Sequence, residues 1–224
     1  MSSRLFICSE LPASGAVGVL DSEESHHALR VLRLGSGDAI GLLDGRGRAA
    51  EAEILETRGS GKHPEVVFRV CSDRTHVRPV PSIHLLAAPP RGRVFEQIVR
   101  QATELGVERI TPIVCDRSVA RPKDARVNRR WVREARVAIK QCGNPFLPVL
   151  DAPVSFADAL SFATGAGVMG CVPESAGGVR ETSPPAAGAL TVWIGPEGGF
   201  TEAETEALVS RGVTPVTIGP WVLR

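Results

Sequence analysis

Residues 190–204 leave the backbone few paths. Leu190-Thr191-Val192-Trp193-Ile194 is an apolar run that reads as a buried strand. Gly195-Pro196-Glu197-Gly198-Gly199-Phe200 follows at once, with three glycines, one proline and one carboxylate. Thr201-Glu202-Ala203-Glu204 then has the Thr-x-x-Glu spacing of a capping box, which opens a helix. The chain must therefore leave a strand, turn tightly and re-enter regular structure within a few residues. A glycine turn at a strand end bares main-chain amides and carbonyls, which suits close approach of a ligand. A plain glycine-rich connection between strand and helix is the other reading of the same residues.

The 224 residues suffice for one large domain or two modest ones. No apolar run has the length of a membrane span, and the first residues lack a secretory hydrophobic region. The five cysteines, Cys8, Cys71, Cys115, Cys142 and Cys171, are scattered, with no Cys-x-x-Cys and no zinc-finger spacing. They read as reduced, mostly buried thiols of a cytoplasmic protein without a metal.

The net charge of +1 hides an asymmetry. Residues 91–140 carry 13 Lys/Arg against 6 Asp/Glu, half of the 26 basic residues in the chain. Such a band points to a polyanionic partner, a nucleic acid first. Solvated helix faces are the alternative.

Two grammars run along the chain. Strands are expected at 4–8, 38–43, 49–56 and 66–71, with one helix at 22–32 and a hairpin turn at Asp44-Gly45-Arg46-Gly47. These suggest a small barrel over residues 1–73. The proline-containing stretch 74–81 reads as a linker. From residue 82 strands (83–88, 109–114, 168–172, 190–195, 213–218) alternate with helices (94–105, 128–141, near 155–162, 201–211). That order predicts an α/β domain over 82–224 with a mostly parallel sheet, whose ligands sit beyond the carboxyl ends of strands.

Several chemistries are excluded. No Gly-Lys-Ser/Thr follows a glycine cluster, no dinucleotide fingerprint opens a helix, and no nucleophile elbow or metal-ligand pattern occurs. His27, Arg30 and Arg33 on the first helix are either a polar face or an RNA-touching one. Arg91 and Arg93 open the helix 94–105, and Arg93, Glu96, Gln97 and Arg100 share a face with Glu104 below them. Arginines at that amino end suit phosphate.

Four segments, Ser25-His26-His27-Ala28-Leu29-Arg30-Val31-Leu32-Arg33-Leu34, Gln101-Ala102-Thr103-Glu104-Leu105-Gly106-Val107, Ile194-Gly195-Pro196-Glu197-Gly198-Gly199-Phe200 and Gly219-Pro220-Trp221-Val222-Leu223-Arg224, occur in the order found in one family. In these the chain resembles the RsmE family, the 16S rRNA (uracil-N3)-methyltransferases of the SPOUT superfamily. The resemblance implies a PUA-like N-terminal barrel that helps to bind RNA, and a C-terminal α/β-knot domain. It also implies a homodimer, S-adenosylmethionine as cofactor, and methylation of N3 of a uridine in 16S rRNA of the small ribosomal subunit. By the same resemblance the cofactor loops are Val172-Pro173-Glu174, Gly195-Pro196-Glu197-Gly198-Gly199, and Ile218-Gly219-Pro220 with Val222 and Leu223. Arg224 is then the candidate for stabilising the anionic imide, and Glu197 or Glu104 for orienting the base or accepting its proton. His27, Arg30, Arg33, Arg91, Arg93 and Arg100 are the candidate RNA contacts.

The chain departs from the family pattern at Gln141-Cys142-Gly143-Asn144, where the family usually reads Gln-Ser-Gly-Arg, and at Trp221, where an arginine is usual. Family members also continue past the last arginine with a Thr-Glu-Thr-Ala segment and a helix, so the domain is expected to be truncated at Arg224. Two other functions compete: a catalytically silent RNA-binding protein, and a SPOUT methyltransferase of another RNA base.

Overall fold

The computed structural model describes residues 4–59, 64–121, 126–163, 166–172 and 188–217. The chain divides into two compact units, Met1–Arg78 with Arg136–Leu147, and Pro79–Ala135 with Pro148–Arg224.

The first unit contains β1 (Leu5–Ile7), β2 (Val17–Val19), α1 (Ser22–His26), β3 (Ala39–Leu43), β4 (Arg48–Arg58) and β5 (Glu65–Thr75). They form one five-stranded sheet in the order β1-β3-β4-β5-β2. Its core is Phe6, Leu20, Leu42, Ile54 and Phe68 with their buried neighbours. The turn between β3 and β4 uses the expected residues. Asp44 Oδ1 accepts the amides of Arg46 at 2.7 Å and Arg48 at 2.9 Å, and Gly45 and Gly47 take positive φ.

Three expectations need correction here. The helix at 22–32 is α-helical only to His26, and a π-helical turn spans His27–Val31. Arg33 then takes φ 55°, which ends the turn and lets the Leu34 amide reach Ala28 O at 3.0 Å. The ladder between β4 and β5 outruns its apolar cores, because pairing continues to Arg48↔Thr75 along the exposed polar residues Ser72, Asp73, Arg74 and Thr75 of β5. Nor are the thiols mostly buried: Cys8 and Cys115 are, Cys171 is half-buried, and Cys71 and Cys142 are exposed.

The second unit starts with β6 (Ser82–Ala87), α2 (Val94–Glu104) and β7 (Arg109–Val114). The next helix, α3 (Arg129–Cys142), begins in this unit, where Asn128 Oδ1 accepts the Arg130 amide at 2.9 Å. Its last residues group with the first unit. There Lys140 Nζ donates to both carboxylate oxygens of Glu24, at 2.9 and 3.1 Å, and so pairs a carboxylate that is only 1% exposed.

After α3 come β8 (Val149–Leu150), β9 (Val154–Ser155), α4 (Phe156–Ala159), β10 (Ala166–Gly170), β11 (Ala189–Ile194), α5 (Glu202–Val209) and β12 (Val213–Val216). The strand order is β12-β10-β11-β6-β7-β8, with β9 also on β7, and all these pairings are parallel. Sequence reasoning missed β2, β8 and β9, each two or three residues long. The parallel α/β class it predicted is the class observed.

This topology places the seam that matters. The chain leaves β6 toward β7 on one side, while β10 and β12 lie on the other side of β11. The β6/β11 pair is thus where the strand order reverses, the place where open α/β sheets take ligands. Trp193, fully buried, anchors β11 there, its indole edge-on to Phe156 and its N–H donated to Thr191 Oγ1 at 3.2 Å.

Candidate active site at the carboxyl ends of the strands

At the end of β11 the ladder makes one last bond, Ala88 N–H to Ile194 O at 2.9 Å, and the chain turns. The Gly199 amide closes the turn on Pro196 O at 2.8 Å, and Gly199 itself takes φ 69°. A Cβ at Gly195 would stand 3.2 Å from the Phe200 ring and from the Phe200 nitrogen, so the turn folds tightly over glycine there. α5 then starts on the expected capping box: Thr201 Oγ1 accepts the Glu204 amide at 3.2 Å, and Glu204 Oε2 accepts the Thr201 amide at 2.8 Å.

Two neighbouring loops hold this turn from either side. After β6, the Arg91 amide donates to Glu197 Oε1 at 3.0 Å. That bond, with one from the residue's own amide, holds the Glu197 carboxyl below the usual carboxylate range. After β7, the Asp116 amide donates to Glu204 Oε1 at 2.9 Å, and Arg117 Nη1 donates to Gly198 O at 3.0 Å and Phe200 O at 3.3 Å. Glu204 is buried, so one carboxylate closes the capping box and fastens the β7 loop together. Arg117 carries no sequence signal, and Glu204 is expected only as part of the capping box. The capping spacing marked Glu204, but its second partner lies 88 residues away in the chain.

Cys115, at the mouth of the same loop, is no nucleophile: burial pushes its thiol up to about 12. No group of His, Cys, Asp and Glu suited to a metal ion occurs among the described residues.

The other named residues sort by position. Glu104 is the last residue of α2, about 16 Å of helix from its start. Because α2 runs back from the carboxyl end of β6, Glu104 is not brought to the turn, and its carboxylate accepts Arg100 Nε at 3.2 Å. Arg91 and Arg93 are exposed on either side of Gly92, just before α2. In the first unit, Arg30 and Arg33 are exposed, whereas His27 packs edge-on against Phe6 at 6.0 Å. Val172, beyond the end of β10, is exposed. Pro173, Glu174, Ile218, Gly219, Pro220, Val222, Leu223 and Arg224 lie outside the described residues.

A family model for an RNA methyltransferase domain matches residues 77–224, and one for an RNA methyltransferase PUA domain matches residues 20–62. The chain is 33% identical to the ribosomal RNA small subunit methyltransferase E of Mycobacterium bovis, over 100% of its own length and 87% of the relative's. It belongs to the RsmE family. Solved structures agree with this membership. A Neisseria gonorrhoeae RsmE bound to S-adenosyl methionine matches with TM-score 0.81 and 27% identity, over 99% of this chain and 91% of that one. A Legionella pneumophila methyltransferase in complex with the bound cofactor matches with TM-score 0.83 and 26% identity, over 100% and 92%. In the RsmE family, then, the glycine turn of this chain stands at the strand-order reversal of a methyltransferase domain.

Proposed function

We propose that this protein is an S-adenosylmethionine-dependent methyltransferase that modifies N3 of a uridine in 16S rRNA, acting as a cytoplasmic homodimer. The observation that carries the reading is the turn at Gly195–Gly199, held at the β6/β11 seam by hydrogen bonds from the Arg91 amide and the Arg117 side chain. Its residues fit the cofactor. Nothing lies within 4 Å of the place a Cβ would take at Gly199, so the turn offers bare backbone on an open side. Gly195, Pro196, Gly198 and Gly199, with Val172, would hold it. Family resemblance adds Pro173, Glu174, Ile218, Gly219, Pro220, Val222 and Leu223, and a knotted path for the methyltransferase domain, which follows the PUA-like unit in sequence.

S-adenosylmethionine supplies the activated methyl group; the protein's own residues orient the base and exclude water. Methylation of N3 requires an unpaired uracil, loss of the imide proton and alignment of N3 with the methyl carbon. Glu197 acts as a positioning residue: a carboxyl held below its usual range by the Arg91 amide is a weak base but a firm anchor for two loops. Arg224 is assigned, by resemblance, to the negative charge on the imide. Glu104, paired with Arg100 at the far end of α2, has no part in the chemistry.

The test is transfer of labelled methyl from S-adenosylmethionine to small ribosomal subunits from cells lacking the enzyme. Label in 16S rRNA supports the reading. Saturable RNA binding without transfer would assign the chain to the silent RNA-binding class.

A further inference from the structure

A cleft of about 680 Å³ opens in the second unit beside the amino ends of α2 and α3. Five arginines line it, Arg93, Arg121, Arg126, Arg129 and Arg130, against a single carboxylate, Glu96. Little of that charge is neutralised. Arg130 reaches Glu96 only at 3.8 Å, and Arg121 donates to the Asp116 carbonyl at 3.4 Å. The side chains of Arg93, Arg126 and Arg129 have no hydrogen bond or ion pair among the described residues. The floor beneath them is firm, because Phe95 of α2 packs on Trp131 of α3 with ring centroids 4.7 Å apart, both buried. Five cations over a fixed apolar floor repel one another unless an anion enters.

We propose that this cleft grips backbone phosphates of the RNA strand beside the uridine to be methylated. The inference rests on the rRNA methyltransferase reading and deepens it. The cleft and the glycine turn share one loop. The amide of Arg91 holds Glu197 of the turn, while Pro89, Pro90 and Arg93 of the same loop line the cleft. A base extruded toward the turn leaves its sugar-phosphate chain on that loop, within reach of guanidinium groups from three separate segments. Guanidinium forks match phosphate oxygens two at a time, and the volume admits a length of nucleic-acid backbone rather than one small anion.

The experiment compares the wild type with an Arg126→Gln/Arg129→Gln double variant, using a fluorescent single-stranded 16S rRNA fragment over a series of salt concentrations. Both side chains are exposed and unpaired among the described residues, so the thermal midpoint and the S-adenosylmethionine affinity should not move. RNA affinity at low salt should fall about tenfold or more. The slope of log K against log salt should become shallower by about 1.4, the value for two phosphate contacts on a single strand. Unchanged affinity and slope would overturn the proposal while leaving the methyltransferase reading intact. Weaker binding to whole subunits with unchanged binding to the naked fragment would also overturn it, and would assign the cleft to a ribosomal protein. A wild-type enzyme that transfers no methyl to rRNA would remove the reading and the cleft's role with it.

Discussion

The carboxylate of Glu197 accepts the backbone amide of Arg91 at 3.0 Å, across 106 positions of sequence. The bond joins the turn after β11 to the loop after β6, two connections that leave neighbouring parallel strands at the same level. A glycine-rich turn is soft by itself. Here its shape is set from outside, by the Arg91 amide on one flank and by Arg117 and the Asp116–Glu204 bond on the other.

The Glu197 bond needs an acceptor rather than a charge. Glu197→Gln should keep S-adenosylmethionine affinity within about twofold of wild type, and Glu197→Ala should weaken it about fivefold, the worth of one exposed hydrogen bond. Calorimetric titration of both variants checks this. Equal losses in the two would mean that the negative charge itself acts on a ligand.

Arg117 and Glu204 should separate binding from stability. Arg117 is exposed and, among the described residues, bonds only to carbonyls of the turn, so Arg117→Ala should weaken cofactor binding about fivefold with little change in thermal midpoint. Glu204 is buried, and its carboxylate holds both the α5 cap and the Asp116 amide. Glu204→Ala should therefore destabilise the fold by about 2 kcal/mol, measured by chemical denaturation. A stable Glu204→Ala protein would show that the cap and the loop tie contribute less than the geometry implies.

At the opposite end of the sheet, burial, helped by Arg109, lowers the His84 imidazole to about 4. Thr111 gives its hydroxyl hydrogen to Asp151, so His84 Nε2 donates to Thr111 Oγ1 at 2.7 Å, and the ring is neutral with its proton on Nε2. The unfolded imidazole takes a proton below about pH 6.5, and the folded one resists until about 4. More protons bind to the unfolded chain between those values. Stability from this site is therefore complete above about pH 6.5 and drains as the pH falls toward 4, by at most about 1.4 kcal/mol per pH unit. His84→Gln should flatten that slope in denaturation curves taken from pH 7 to 4. An unchanged slope would place the acid sensitivity elsewhere.

Much of this was legible in sequence because it is local. The apolar run, the glycines and the Thr-x-x-Glu spacing are adjacent in the chain, and they fixed the strand, turn and helix without tertiary help. The π-helical turn at His27–Val31 was not legible, since its residues have ordinary helical periodicity. Glu104 is a different case. Spacing put it on one helix face with Arg100, but only the direction of α2 relative to β6 shows which end of the sheet it occupies. The arginine cleft was visible only as a count. Arg93 and Arg129 are 36 positions apart in sequence, and the Phe95–Trp131 contact draws the amino ends of α2 and α3 together.

The central claim is tested most directly by the chemical form of the product. Small ribosomal subunits from cells lacking the enzyme should be methylated with isotopically labelled S-adenosylmethionine, and the 16S rRNA then digested to nucleosides for mass spectrometry. The account predicts the label in 3-methyluridine and in no other nucleoside. Label in a different methylated nucleoside, or none in 16S rRNA while the protein binds both RNA and cofactor, would contradict it.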